Sequence, residues 1–288
     1  MSTVTIDSPK NLSSSQPNIN STEQVHKSQL LTNLNINKIF PIPKHDVTNK
    51  NDDISNLFKN YHQNIRGLKG KTNEIMLSLL TEAPHLICLT EHYLKNYEID
   101  DTPISNYKLG AKYCRKKLKN GGACLYIQEA LKFTNVSLQK HCKEEDIEIT
   151  AVQLKLNKKN VIIFCVYRAP SGDFDYFLNK LYYILNSLHT YKTEFIICGD
   201  RNMNYLETSN KKKQLDYLLD TYNLISTVNF PTRKANNSAT LIDNIFIDNR
   251  RHYAIKPCVN GLSDHDAWLI TLNNFSLPLP TYIRKYHS

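Results

Sequence analysis

Residues 161–202 read VIIFCVYRAPSGDFDYFLNKLYYILNSLHTYKTEFIICGDRN. The stretch opens on an apolar, β-branched run, Val161–Tyr167, and closes on another, Glu194–Gly199. Both have strand length. Between them Phe174, Phe177, Leu178, Leu181, Ile184, Leu185 and Leu188 recur at helical spacing and make one apolar stripe. Gly172 or Asp173 is the expected start of that helix. Strand, helix and strand in succession predict an α/β domain.

The alternation extends in both directions. Phe58–Ile65 reads as a strand, and Lys71–Leu80 as a helix facing inward through Ile75, Leu79 and Leu80. His85–Thr90 reads as a buried strand entered through Pro84, and Gly122–Ile127 as a strand after an Asn-Gly-Gly turn. Ile147–Leu156 and Val161–Tyr167 flank a predicted hairpin turn at Asn157–Asn160. Lys212–Asn223 is a predicted helix; Leu241–Ile247 and Ala267–Leu272 are predicted strands. No internal repeat is visible. The expected architecture is a layered α/β domain of two sheets between helices, spanning 53–275.

Outside those limits the texture changes. Residues 1–52 are rich in Ser, Asn, Thr, Gln and Pro, and read as a disordered polar leader. Leu30–Ile42 within it carries scattered apolar residues and reads as a short docking segment. Residues 276–288 are read as a C-terminal tail.

Composition narrows the class. Of 288 residues, 41% are apolar, enough to bury a core. Eight glycines exclude collagen-like chains. No apolar run approaches the roughly 20 residues of a membrane-spanning helix, so no membrane partner is expected. The formal net charge is +9, and the leader, with five Lys and four acidic residues, is close to neutral. The basic excess therefore lies in the folded part, the ordinary footprint of a polyanion partner, nucleic acid before membrane. Simple solubility is the competing explanation. The seven cysteines are Cys88, Cys114, Cys124, Cys142, Cys165, Cys198 and Cys258, with no C-x-x-C pair. That pattern suits reduced thiols in a nuclear or cytoplasmic protein, not a zinc site or a disulfide scaffold. The N-terminus lacks the pattern of a secretory signal.

Chemistry concentrates at the ends of predicted strands, where an exit loop exposes a group that the strand fixes. Asn64 ends the first strand and Glu91 follows HLICLT. Tyr167 and Arg168 end VIIFCVY; Asp200 and Asn202 follow EFIICG. Ser263-Asp264-His265 precedes the last strand, and Asp243 sits inside an apolar run, where a carboxylate needs a partner or a metal. Taken singly, these are solvated strand ends, turns and caps. Taken together, the oxygens suit a hard cation such as Mg²⁺. A cation there neutralises a phosphate and stabilises a leaving oxygen. An Asp–His pair positions a histidine and another Asp activates water. The chemistry is metal-assisted phosphodiester hydrolysis.

The motifs QNIRGLKGKTNEI, ICLTEHYL, NGGACLYI, VYRAPSGD, ICGDRNMN, FPTRKANNSATLIDNIFI and LSDHDAW occur in that order. Together they resemble the endonuclease/exonuclease/phosphatase superfamily, the deoxyribonuclease I-like proteins. The likeness is greatest to the endonuclease domain of LINE-type (non-LTR) retrotransposons, and covers roughly residues 56–275. The resemblance implies a four-layer sandwich, two packed mixed β-sheets flanked by helices. It implies that Asn64 and Glu91 hold the metal, Mg²⁺ with Mn²⁺ as an alternative, with Asp264 helping to place the metal or the water. Tyr167, Asn202 and His265 would contact the phosphate, Asp200 would orient or deprotonate the attacking water, and Asp243 would fix His265. Thr232 falls where the family often has a phosphate-contacting hydroxyl. Arg168 and the cluster Arg115, Lys116, Lys117 are candidates for DNA phosphates. The implied activity is nicking of double-stranded DNA to leave a 3′ hydroxyl, with a reverse transcriptase encoded elsewhere as a partner.

Two departures stand out. Arg66 occupies a position where the resemblance to apurinic repair endonucleases would call for Asp, which favours the retroelement branch. Arg201 lies between Asp200 and Asn202, where an apolar residue is more usual. An inward Arg201 would bury an unpaired charge, the feature expected of an inactive DNA-binding remnant or domesticated copy. Another phosphoesterase of the superfamily is the third reading.

Overall fold

The computed structural model describes residues 57–156, 159–235, 238–273 and 275. All belong to the unit Thr48–Ser288. The polar leader, its docking segment, the tip of the hairpin at Asn157 and Lys158, and the C-terminal tail lie outside the described residues.

The strands are β1 (Phe58–Asn64), β2 (Leu86–Thr90), β3 (Tyr107–Tyr113), β4 (Ala123–Gln128), β5 (Phe133–Val136), β6 (Glu148–Leu156) and β7 (Lys159–Tyr167). They continue as β8 (Thr193–Asp200), β9 (Leu224–Ser226), β10 (Arg233–Ala235), β11 (Ser238–Thr240), β12 (Asp243–Asp248), β13 (Tyr253–Cys258) and β14 (Ala267–Leu272). The helices are α1 (Thr72–Leu79), α2 (Asn96–Asp100), α3 (Phe174–Leu188) and α4 (Asn210–Asp220). One sheet runs β13-β14-β1-β2-β4-β3 and the other β5-β6-β7-β8-β12-β9; β10 and β11 form a separate hairpin. Each large sheet has one parallel pair, β1/β2 or β7/β8, and is otherwise antiparallel.

Three apolar clusters define four layers. Phe58, Cys88, Leu125, Val161 and Trp268 belong to the cluster between the sheets. Tyr61, Ile87 and Leu89 pack against Ile75 and Leu79 of α1. Ile162, Phe164 and Ile197 pack against Phe177 and Leu181 of α3 and Leu215 of α4. This is the four-layer α/β sandwich that the sequence predicts. Asp173 starts α3: its carboxylate accepts hydrogen bonds from the N–H of Asp175 (2.9 Å) and Tyr176 (3.0 Å). Ser209 does the same for α4, accepting from Lys212 N–H at 3.1 Å, so this helix starts and ends earlier than predicted.

In the two large sheets, the strands that the sequence does not announce are β3, β5, β9 and β13. β3 is broken by a bulge between Leu109 and Ala111. The other three are short or carry exposed residues. Pro257 inside β13 donates no ladder hydrogen bond, and is tolerated because β13 is a sheet edge.

The topology explains why the chemistry shares one rim. β1, β2, β7 and β8 end there. β12 runs antiparallel to β8 and β14 to β1, so both begin where their neighbours end. Asp243 is thereby paired in register with Asp200, and Asp200 with Tyr167. Gly199 is required just before Asp200: its φ is +147°, and a Cβ there would lie 1.8 Å from the Val166 carbonyl oxygen.

Candidate active site

Asn64 joins the two sheets. Its side-chain amide donates to Glu91 Oε1 and to Asp200 Oδ2, each at 2.8 Å. Glu91 leaves β2 with φ +53°, a left-handed conformation that costs a non-glycine residue about 1–3 kcal/mol. Hydrogen bonds on both sides hold it: Glu91 N–H donates to the Gly122 carbonyl (2.8 Å), and its own carbonyl accepts from Gly67 N–H (2.7 Å). The Tyr93 hydroxyl donates to its second carboxylate oxygen. Asp200 accepts from Asn202 N–H at 2.8 Å, and the Asn202 side chain donates to the Arg168 carbonyl at 2.9 Å. Tyr167 is buried beside these carboxylates; desolvation first, then the charges of Glu91 and Asp200, raise its hydroxyl pKa.

The second half of the rim is built on Asp243. Its Oδ2 accepts from His265 Nδ1 (2.7 Å) and from the Thr232 hydroxyl (2.9 Å), while Oδ1 faces His62 Nε2 at 3.4 Å. Ser263 ties the His265 loop to β1, donating from its hydroxyl to the Asn64 carbonyl at 2.6 Å. With Nδ1 committed to Asp243, Nε2 is the His265 nitrogen that a phosphate can reach. His62 was not singled out from the sequence. The signal was there: Asn60, His62 and Asn64 recur with period two on one face of β1, all buried.

Six other sequence candidates have different surroundings. Asp264 is gripped by Arg66, whose Nη1 lies 2.9 Å from both carboxylate oxygens, and by Arg233 Nε at 2.8 Å. Burial raises its pKa, but these arginines win and bring it to about 2. Thr232 is turned inward on Asp243, and its hydroxyl also accepts from the N–H of Ile242 and Asp243, both at 3.1 Å. Arg168 is buried and donates to the carbonyls of Arg201 (3.0 Å), Gly172 (2.6 Å) and Asn202 (3.2 Å). It shapes the loop that carries Asn202. Arg115 is buried against Glu148. Lys116 and Lys117 remain exposed, their backbone N–H groups held by Glu144.

Arg201 does point inward, away from the rim. Its guanidinium stacks over Phe246 at 4.5 Å and donates to the Gly199 carbonyl at 3.0 Å. Phe246 belongs to the cluster on the helix side of the second sheet.

The charges of the rim are unbalanced. Burial, and then the neighbouring charge of Asp243, push the Asp200 carboxyl up to about 7, against the pull of His265. Burial alone would raise Asp243, but His265 and His62 hold it well below the usual carboxylate range. Burial lowers His265, yet Asp243 overrides this and raises it to about 9. Asp200, Asp243 and His265 offer ligand atoms within 4.8 Å of one another. Asp243 is spent on two histidines and Thr232, whereas Asp200 and Glu91 accept only from amide, hydroxyl and backbone donors and are the carboxylates that a cation can share. A buried carboxylate with a raised pKa is short of positive charge, and a divalent cation supplies it. The donor set therefore fits a hard metal ion.

Two outcomes follow from this geometry. Thr232→Val removes the acceptor of two buried N–H groups and should cost about 1–3 kcal/mol, whereas Thr232→Ser should not; urea midpoints compare them. For His265 the folded pKa lies above the ordinary 6.5. Its contribution is thus complete below pH ~6.5 and lost as pH rises through about 9. In chelator-treated protein, wild type should lose at most about 3 kcal/mol between pH 6 and 10 that His265→Gln does not. Parallel urea midpoints for the two proteins would refute this coupling.

Comparison with known proteins comes to the same fold. Residues 161–269 match the family model described as endonuclease-reverse transcriptase. Compared with curated proteins, the chain has no significant match. Among solved structures it is similar to the endonuclease domain of TRAS1, a telomere-specific non-LTR retrotransposon. The identity is 14% and the TM-score 0.59, covering 76% of this chain and 99% of that one. It is similar to the AP endonuclease LMAP from Leishmania major, with 14% identity and a TM-score of 0.61, covering 81% and 92%. It is also similar to D. rerio TDP2 complexed with a single-strand DNA product, with 11% identity and a TM-score of 0.56, covering 75% and 99%. The resemblance to the endonuclease/exonuclease/phosphatase superfamily read from the motifs thus has support from a family model and from the fold. The architecture is deoxyribonuclease I-like.

Proposed function

We propose that the chain is a divalent-metal-dependent DNA endonuclease of a retrotransposon-like element, which nicks one strand of a duplex and leaves a 3′ hydroxyl. The observation that carries the reading is the bridge Glu91–Asn64–Asp200 across two sheets, set beside the Asp243–His265 pair. The family model favours the retroelement branch; the fold likeness is shared equally by the TRAS1 domain and the AP endonuclease.

In this reading Glu91 and Asn64 hold Mg²⁺ or Mn²⁺, with Asp200 close by. When bound, the ion neutralises the scissile phosphate and stabilises the leaving oxygen. Asp200, ionised, orients and deprotonates the attacking water. His265 presents a protonated Nε2 to a phosphate oxygen, and Asp243 keeps that nitrogen aimed. Tyr167 and Asn202 line the same rim and steady the phosphate. Asp264, held between Arg66 and Arg233, orders the loop that carries His265. Lys116 and Lys117, exposed ahead of the Asn120–Gly122 turn, serve as backbone contacts on double-stranded DNA. A reverse transcriptase on another chain would use the 3′ hydroxyl, and a nuclear or cytoplasmic setting with reduced cysteines fits that task.

The test is a substrate comparison. Supercoiled plasmid should be converted to open circles with Mg²⁺ and not with chelator, while phosphoinositides and poly(A) RNA are left intact. Faster hydrolysis of either of those would transfer the chain to another branch of the superfamily. Binding of DNA by folded protein without nicking would favour the remnant.

A further inference from the structure

Arg115 heads the basic cluster before the Asn-Gly-Gly turn, yet it is turned away from solvent. Its Nε donates to Glu148 Oε1 at 2.6 Å and its Nη1 to the Lys119 carbonyl at 3.0 Å. Glu148 is fully buried. It also accepts from Glu145 N–H at 2.9 Å and, through Oε2, from Gly122 N–H at 2.5 Å. The pair therefore grips both ends of the turn Lys119–Gly122.

That turn is conformationally expensive and closely fitted. Asn120, Gly121 and Gly122 have φ of +64°, +70° and +94°. A Cβ on Gly121 would lie 2.2 Å from Arg115 Nε, and one on Gly122 would lie 2.4 Å from His92 Nε2. Its carbonyls in turn carry the loop after β2. Gly122 O accepts from Glu91 N–H (2.8 Å) and Gly121 O from Tyr93 N–H (3.0 Å). Glu91 and Tyr93 are both left-handed, at φ +53° and +62°. Two strained residues in the loop persist only where their surroundings over-determine them. Glu148 stands opposite Tyr167 in register, and the Arg115 guanidinium lies 5.8 Å from the Tyr167 ring centre. One ion pair, between Glu148 on the second sheet and Arg115 in the loop after β3 of the first, thus reaches both Glu91 and Tyr167.

We propose that Arg115 and Glu148 are positioning residues that set the metal affinity of the site, by fixing the two carbonyls from which the Glu91 loop hangs. The proposal rests on the reading of Glu91 as a metal ligand. Neither residue touches the metal or the substrate; they act through Gly121, Gly122 and Glu91. Loss of such a support costs about 10–100-fold in metal affinity.

The experiment is direct Mn²⁺ binding to the full chain, followed by electron paramagnetic resonance, alongside nicking at increasing Mg²⁺. The variants are Glu91→Gln, Glu148→Gln, and Arg115→Leu combined with Glu148→Gln, which leaves no orphaned buried charge. Circular dichroism checks folding. Wild type should bind Mn²⁺ and Glu91→Gln should not. Both Glu148→Gln proteins should show a Kd raised about 10–100-fold, with nicking recovered at saturating Mg²⁺. A Kd within twofold of wild type in either folded variant overturns the proposal while leaving the metal site intact. So does failure of both to fold, which would make the pair a stability element alone. Absence of Mn²⁺ binding by wild type, or unchanged binding by Glu91→Gln, overturns the reading of Glu91 and the proposal with it.

Discussion

His265→Ala should lower plasmid nicking by about 10²–10⁴-fold, and Asp200→Ala by at least as much. At neutral pH His265 is protonated, while Asp200 is near the midpoint of its titration. Asp243 raises the His265 imidazole to about 9, so in the proposed reaction it would meet the phosphate as a cation and a donor. Asp200, with a carboxyl near 7, is poised where a general base is most effective. The rate should therefore rise with pH as Asp200 ionises and fall as His265 loses its proton, a bell with limbs near 7 and 9. Bound metal moves the acid limb down, because a cation favours the carboxylate. Initial rates of open-circle formation, with circular dichroism to confirm folding, decide it. Folded variants that nick at the wild-type rate would remove both residues from the chemistry.

Arg201→Met should stabilise the fold, because it removes the cost of burying a charge that has no ion-pair partner, and leave nicking in place. Among the described residues no carboxylate lies within salt-bridge distance of Arg201. Its partners are backbone carbonyls and the face of Phe246. Burial pulls its pKa down, the mark of a charge that loses more hydration than it regains. Methionine fills a similar channel without the charge. In a domain of this size each kcal/mol moves Tm by roughly 2–4 °C, so a melting curve resolves the effect. A lower Tm would show that the carbonyl cradle and the ring outweigh the desolvation. Retained nicking would separate Arg201 from catalysis, since its guanidinium lies on the helix side of β8.

The fold was largely legible because its central strands carry their own signature. β7, α3 and β8 are readable from residues 161–200 alone, since buried parallel strands are continuous apolar runs and α3 keeps a strict stripe. The edge strands were not. β5 has exposed residues at Thr134 and Asn135, and β13 contains a proline. Nothing local marks such segments as strands; they pair because a neighbour offers an open edge.

The site divides in the same way. Asn64, Glu91, Tyr167, Asp200, Asn202 and His265 could be named from sequence because each is a polar residue at or near an end of an apolar run, and Asp243 because it is a carboxylate inside one. Their residue types alone imply a hard cation and a phosphate. Which of the remaining polar groups face substrate is a matter of contacts between residues far apart in the chain. Arg115 looks like one of three cations in a basic cluster until Glu148 is found beside it, 33 residues away. Thr232 looks like a phosphate ligand until Asp243 and two backbone N–H groups occupy its hydroxyl. Sequence by itself determined the strand–helix alternation and which polar residue types stand at the strand ends, because hydrophobic period and residue type are local properties. Only the tertiary structure decided which charges are spent inside the protein and which stay at its surface, because pairing depends on where the two sheets bring distant residues together.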